Sequence, residues 1–232
     1  MIYEPDYEEP DCGRCKHVTD NNHYCKYCGP KYGWNMYNTN LTIAFTGRRP
    51  KDLVGYDKKN YNQFLDQLTE ILKPYGPNTT FICGGAQGFD QLAFIAAERL
   101  KSIFPVNLHL YIPFEGQEKS WLIDGFFGQK MYNYQKDRAD VVNYISELPP
   151  DAEYHTVVKA LYKRNAAMID DADIVIALYP DDSWKTSKGG TAQCMRYAIK
   201  KKPVYQLKYK IDDDYLTITD NLILLNNVWI AI

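Results

Sequence analysis

The stretch that decides the fold is Phe81-Ile82-Cys83-Gly84-Gly85-Ala86-Gln87-Gly88-Phe89-Asp90. It reads as a short buried strand, a glycine turn and a helix in immediate succession. Phe89, Leu92, Ala93, Ala96, Ala97 and Leu100 recur at spacings of three and four, which predicts a helix with one apolar face. Glycines at the turn let a backbone approach a ligand without a Cβ in the way. The first turn of a helix leaves N–H groups unpaired, and its dipole adds partial positive charge there, so such a turn is a ready anion site. A second stretch, Ser187-Lys188-Gly189-Gly190-Thr191, has the same logic. In it Thr191 can cap a helix and offer its hydroxyl to a phosphate.

Working outward, short apolar runs alternate with amphipathic ones. Leu41 to Thr46 reads as a strand stopped by Gly47, with Arg48, Arg49 and Pro50 exposed at its C-terminal end. Tyr61 to Lys73 is a helix carrying Phe64, Leu65, Leu68, Ile71 and Leu72 on its core face, ended by Pro74. Further strands are expected at Val106 to Ile112, Val141 to Ile145, Asp173 to Tyr179 and Pro203 to Leu207, with helices at Thr156 to Ala172 and Ala192 to Lys200. Five- to seven-residue apolar strands alternating with helices predict an α/β fold with a doubly wound, mostly parallel sheet. In such a sheet ligands sit at the C-terminal ends of the strands. The tail, Leu216 to Thr219 and Leu222 to Ile232, shows period-two patterning and is expected to add one or two strands or an ordered extension. The expected division is 1–40, 41–210 and 211–232.

The first of these segments has its own chemistry. Cys12-Gly13-Arg14-Cys15 and Cys25-Lys26-Tyr27-Cys28 are two C-x2-C pairs nine residues apart, out of six cysteines in 232 residues. Four thiolates at this spacing predict one structural, tetrahedral Zn2+. A segment this short has no core of its own, so metal would supply its folding energy. His17 and His23 are read as loop residues. Residues 30–40 are read as a linker.

Composition narrows the function classes. With 45% hydrophobic and 24% charged residues, the chain is ordinary for a soluble globular protein. No apolar run approaches the ~20 residues that span a bilayer. The acidic start, Met1 to Asp6, lacks signal-peptide features, so a cytoplasmic protein is expected. A net charge of −2 offers no global attraction for nucleic acid, so any phosphate affinity must be local.

Four separated motifs occur together and in order: Phe45-Thr46-Gly47-Arg48-Arg49-Pro50, Gly84 to Asp90, Pro113-Phe114-Glu115-Gly116-Gln117, and Arg164-Asn165 through Lys188-Gly189-Gly190-Thr191. This order resembles the YpsA-like proteins of the SLOG superfamily, which also holds DprA-like proteins and the LONELY GUY phosphoribohydrolases. The resemblance covers roughly residues 41–208. It implies a Rossmann-like domain that binds nucleotides or their derivatives, among them ADP-ribose-type signals, and it implies self-association. Two departures matter. The usual Thr-Gly-His-Arg-Pro has Arg48 in place of histidine, which adds a permanent cation and removes a titratable group. Where LONELY GUY enzymes read Gly-Thr-x-Glu-Glu, this chain has Gly190-Thr191-Ala192-Gln193-Cys194. An amide cannot replace a carboxylate as general base or oxocarbenium stabiliser.

Each candidate has a plain structural alternative. Gly84, Gly85 and Gly88 either admit a ligand or allow close helix–sheet packing. Asp90 either accepts bonds from a ribose or base, or complements the helix dipole. Arg48 and Arg49 are phosphate clamps or solvated charges. Arg164 grips phosphate or pairs with Asp170 or Asp171. Glu115 and Glu118 recognise ribose or base, supply a missing carboxylate, or belong to a surface loop. Phe114 and Trp121 stack on a base or pack in the core. Cys83 and Cys194 are read as buried small residues, and His109 and His155 as structural or loop residues.

The reading is a nucleotide-derivative binder without a catalytic residue, for sensing or sequestration. Its ligand contacts are Gly47, Arg48, Arg49, Gly84, Gly85, Gln87, Gly88, Asp90, Glu115, Arg164, Asn165, Lys188, Gly189, Gly190 and Thr191. The alternatives are an N-glycosidic hydrolase of LONELY GUY type and a single-stranded nucleic-acid-binding protein.

Overall fold

The structure is a computed structural model that describes residues 40–149 and 151–224, with the backbone alone at 221–223. The four cysteines Cys12, Cys15, Cys25 and Cys28, the zinc expected on them and the linker before residue 40 lie outside the described residues.

Seven strands form one sheet: β1 Thr42–Gly47, β2 Thr80–Cys83, β3 Asn107–Ile112, β4 Val141–Tyr144, β5 Ile174–Leu178, β6 Val204–Asp212 and β7 Tyr215–Leu224. Their spatial order is β4-β3-β2-β1-β5-β6-β7. All neighbours are parallel except β6 and β7, which pair antiparallel with register irregularities near Gln206 and Lys208. Helices α1 Asn62–Leu72, α2 Phe89–Leu100, α3 Gln129–Arg138, α4 Tyr154–Asp171 and α5 Gly190–Ala198 cover the sheet. The arrangement is the mostly parallel, Rossmann-like α/β sheet that the alternation of runs predicts.

Strand periodicity divides the interior into two cores. Successive side chains of a strand point to opposite faces. Ile43 and Phe45 of β1, Phe81 and Cys83 of β2, and Ile174, Ile176 and Leu178 of β5 lie in one core. There they pack with Phe64, Leu68, Phe89, Leu92 and Ala96 from α1 and α2. The residues between them, Ala44, Ile82, Val175 and Ala177, face the other way. They meet Met168 and Ile169 of α4 and Met195 and Ala198 of α5. Strands buried on both faces need apolar residues at every position, which is why these runs are continuous rather than alternating.

Chain progression reverses at the centre of the sheet. From β1 the chain steps outward through β2 and β3 to β4, then crosses back so that β5 pairs with the opposite side of β1. The gap between β1 and β5 is therefore the topological switch point, where the loops leaving the two strands diverge and a crevice opens.

Most expected elements lie within two residues of the observed ones. Two differences are larger. Helix α3 lies where no element is expected, because Tyr132 and Gln135 are the fully buried residues of its ten and leave no apolar stripe to read. Strand β6 continues beyond Leu207 to Asp212 and turns through Asp213 and Asp214, both at positive φ, into β7. Leu216 and Ile218 of β7 join the core beside α1, and the Ile218 N–H donates to Gln67 Oε1 at 2.9 Å. Among the described residues, no helix is long and apolar enough to cross a membrane.

Candidate functional site at the C-terminal edge of the sheet

Three loops emerge side by side because their strands are ordered β2-β1-β5. The central one is Gly47-Arg48-Arg49, and it is fastened to both flanking helix starts. On one side the Phe89 N–H, first in α2, donates to the Arg48 carbonyl at 3.1 Å. A Cβ on Gly88, at φ +96°, would overlap that carbonyl and lie 3.0 Å from Arg49 Cα. On the other side the Thr191 hydroxyl, at the start of α5, donates to the Gly47 carbonyl at 2.6 Å. The two glycine turns thus converge on one segment from opposite sides.

The turns differ in what fills them. At Gly84 a Cβ would overlap the Arg164 guanidinium and come within 2.5 Å of Asp90 Oδ2. Arg164 reaches from α4 under the turn, where its Nη1 donates to the Gly84 carbonyl and to Asp90 at 3.2 Å. Asp90 in turn accepts from the Ala86 N–H. At Gly85, φ +65°, a Cβ would stand 3.0 Å from the Tyr132 ring. This first turn is therefore occupied by the protein's own groups, and a Cβ on Gly47 would likewise overlap the Phe89 side chain, at 2.4 Å. Gly189 and Gly190, by contrast, have nothing within 4 Å of a Cβ and are exposed, as is Lys188. The open face of the crevice lies on the α5 side.

The charge around the central loop is unbalanced. Arg48 leans on the Tyr179 ring, 4.9 Å from its centroid, donates to the Tyr179 hydroxyl at 3.2 Å and pairs with Asp52 at 3.4 Å. Arg164 is 4% exposed and pairs with Asp90. Arg49, half-buried beside both, makes no side-chain hydrogen bond or ion pair among the described residues. Burial lowers the Arg49 pKa and the Arg164 charge lowers it further, while Asp90 pulls it back up. A guanidinium nevertheless stays charged at neutral pH. Burial raises the Asp90 carboxyl above its ordinary value, partly offset by Arg164, Arg49 and the Ala86 N–H. The Nε groups of Arg48 and Arg164 are buried without an acceptor among the described residues. Three guanidiniums against Asp90 and Asp52 leave a local positive excess and several unused donors.

These motifs decide the affiliation, because the sequence match runs through all of the loops just described. Residues 43–213 match the YspA SLOG family, also written YpsA. The chain belongs to this family. A solved structure similar in part is DNA processing protein A (DprA) from Streptococcus pneumoniae, at 17% identity and a TM-score of 0.46. The likeness covers 75% of this chain and 52% of that one, so this chain spans about half the length of that structure. No curated protein matches the chain.

The remaining expected residues of this SLOG chain are distributed around the edge. Gln87 donates its amide to the Phe127 carbonyl at 2.8 Å and braces the first turn. Glu115 is exposed in the loop after β3, and Asn165 is half-buried on α4 next to Arg164. Gln193 is exposed and Cys194 buried. Burial pushes the Cys194 thiol up to about 11 and the Cys83 thiol well above its usual range, so neither is a ready nucleophile. Sequence reasoning missed Tyr132 and Lys136, both on α3. Tyr132 packs over Gly85 and accepts from Gln117 Nε2 at 3.0 Å. Their one advance signal is a tyrosine in a polar run, which is too little to single them out. It also missed Tyr179, whose hydroxyl and ring hold Arg48 in place.

Proposed function

We propose that this SLOG protein binds a phosphate-bearing nucleotide derivative, ADP-ribose or a similar molecule, and senses or sequesters it rather than turning it over. One observation carries the reading. Arg49 is a half-buried guanidinium without a hydrogen-bond acceptor among the described residues, set at the switch point between two helix starts. Burying a charge without a partner is costly, and an anion in the crevice would offset that cost. Arg48 and Arg49 would grip phosphate, the exposed Lys188-Gly189-Gly190 arc would wrap it with N–H groups, and Thr191 would hold the arc to β1. Glu115 would meet the sugar or base.

Titration calorimetry with ADP-ribose tests this. Arg49→Ala is expected to weaken binding at least tenfold, in line with the ~1.5–3 kcal/mol of a charge-assisted hydrogen bond. Unchanged affinity in that variant would sink the reading. Release of free base from nucleotides, lost in Glu115→Ala, would replace it with N-glycosidic hydrolysis.

On spacing alone, Cys12, Cys15, Cys25 and Cys28 are proposed to hold one zinc ion. Self-association is proposed by family analogy. Native mass spectrometry of protein taken from cells reports metal, subunit number and any retained small molecule together.

A further inference from the structure

Beyond the guanidiniums, the same edge of the sheet continues over the ends of β3 and β4, and its chemistry changes. Glu118 sits in the 3-10 turn Gln117–Ser120 that follows β3, fixed by the Trp121 N–H donating to its carbonyl at 2.8 Å. Its side-chain Oε2 is buried and has no hydrogen-bond partner among the described residues. Lys136 is the nearby cation, yet it makes no ion pair with Glu118 among the described residues. Its ammonium lies instead 5.7 Å from the Tyr132 ring centroid and 5.8 Å from that of Tyr144. The Tyr144 hydroxyl, Glu118 and Glu115 together raise the Lys136 pKa. Tyr144, at the end of edge strand β4, is 47% exposed and offers a ring face.

This patch is contiguous with the cationic one. A Cβ on Gly85 would meet Tyr132 at 3.0 Å and Gln117 Nε2 at 3.4 Å, while Arg164 lies on Gly84, one residue away. Strand β3 is two places from β1 in the sheet, a step of roughly 10 Å at the usual interstrand spacing. A carboxylate is a pure acceptor. A buried carboxylate oxygen lacking a donor is as unbalanced as a buried guanidinium lacking an acceptor. The crevice therefore has an end that wants an anion and an end that wants uncharged hydrogen-bond donors beside an aromatic face.

We propose that Glu118 is a specificity residue for the nucleoside part of the ligand, accepting hydrogen bonds from its ribose hydroxyls or base N–H groups. The proposal rests on the anion-binding reading above and fixes the direction in which the ligand lies: phosphate toward β1 and α5, nucleoside toward β3 and β4. Glu118 carries the discrimination, and the exposed Glu115 adds a contact to the sugar or base.

The test uses the full chain and three probes: pyrophosphate, ADP and 2′,3′-dideoxy-ADP. Removing one negative charge near an anion site should tighten every anion slightly. Glu118→Ala is instead expected to weaken ADP tenfold or more while leaving pyrophosphate unchanged or tighter. An ADP-to-pyrophosphate affinity ratio equal to that of the unaltered protein overturns the proposal, whether both affinities rise, fall or stay. Failure of the anion reading registers separately, as no binding of pyrophosphate to the unaltered protein. In the dideoxy arm, weak binding that no longer depends on Glu118 assigns the contact to ribose. Binding that still depends on it assigns the contact to the base.

Discussion

Gly84 shows how the absence of a side chain can shape the site. Its missing side chain is the space that the Arg164 guanidinium occupies. Gly84→Ala should expel that group and strand Asp90, at a cost of roughly 3–5 kcal/mol, visible as a lowered denaturation midpoint. Gly190→Ala is the contrast. Nothing lies within 4 Å of that Cβ and the backbone is not in the left-handed region, so stability should hold within about 0.5 kcal/mol. If phosphate does sit against this arc, ADP-ribose affinity should nonetheless fall in Gly190→Ala. Asp90 adds a pH dependence. Its folded pKa is raised, so the native state holds more protons than the unfolded chain between the unfolded value, about 3.9, and the folded one. Its contribution is full below the unfolded value and is lost as pH rises through the folded value. Denaturation of the protein and of Asp90→Asn across the acid range should show the variant lacking that decline. A matching slope in both would refute the assignment.

Among the elements, α5 matters most, because its first residue after the glycines is bonded to the neighbouring strand. Thr191→Val keeps the shape but removes the donor to Gly47. It should cost about 1 kcal/mol in stability and weaken anion binding more than a remote variant of equal stability would. How far the elements could be read in advance follows their kind of burial. Strands β1, β2 and β5 are largely buried and apolar on both faces, and their runs announce them in any chain order. The glycine turns were legible for the same local reason. Helix α3 was not, since it is held by single contacts such as the Gln135 amide donating to the Gln91 carbonyl at 3.0 Å. Nor was the true partner of Arg164. Its local candidates were Asp170 and Asp171, but Asp170 meets Lys201 and Tyr197, and Asp171 accepts from Tyr111. Asp90 is 74 positions away, a distance no spacing rule spans.

For the molecule as a whole, the net charge is −2, so the guanidiniums at this edge of the sheet are a local feature. A long polyanion would gain the same few guanidiniums at that edge as a mononucleotide, with no net positive charge on the chain to hold the rest of it. Single-stranded DNA should therefore bind no tighter than one nucleotide, with a shallow salt dependence by fluorescence anisotropy. A steep slope, equivalent to several released counterions, would point to a nucleic-acid track instead.

The loop between β5 and α5 is tied at many points. Gln206 donates to the Tyr179 and Asp181 carbonyls, both at 3.0 Å, and Arg196 donates to those of Trp184 and Ser187, at 2.5 and 2.9 Å. Thr191 closes the far end. Lys185 and Lys188 stand exposed within this span, each an obvious target for trypsin. A protease must draw an extended segment into its cleft, and here the knots lie on both sides of Lys188, with the Gly189 carbonyl already accepting the Gln193 N–H. Cutting should accordingly wait on a larger opening of the chain, so that digestion at these lysines reads the stability of the sheet edge rather than the looseness of a loop.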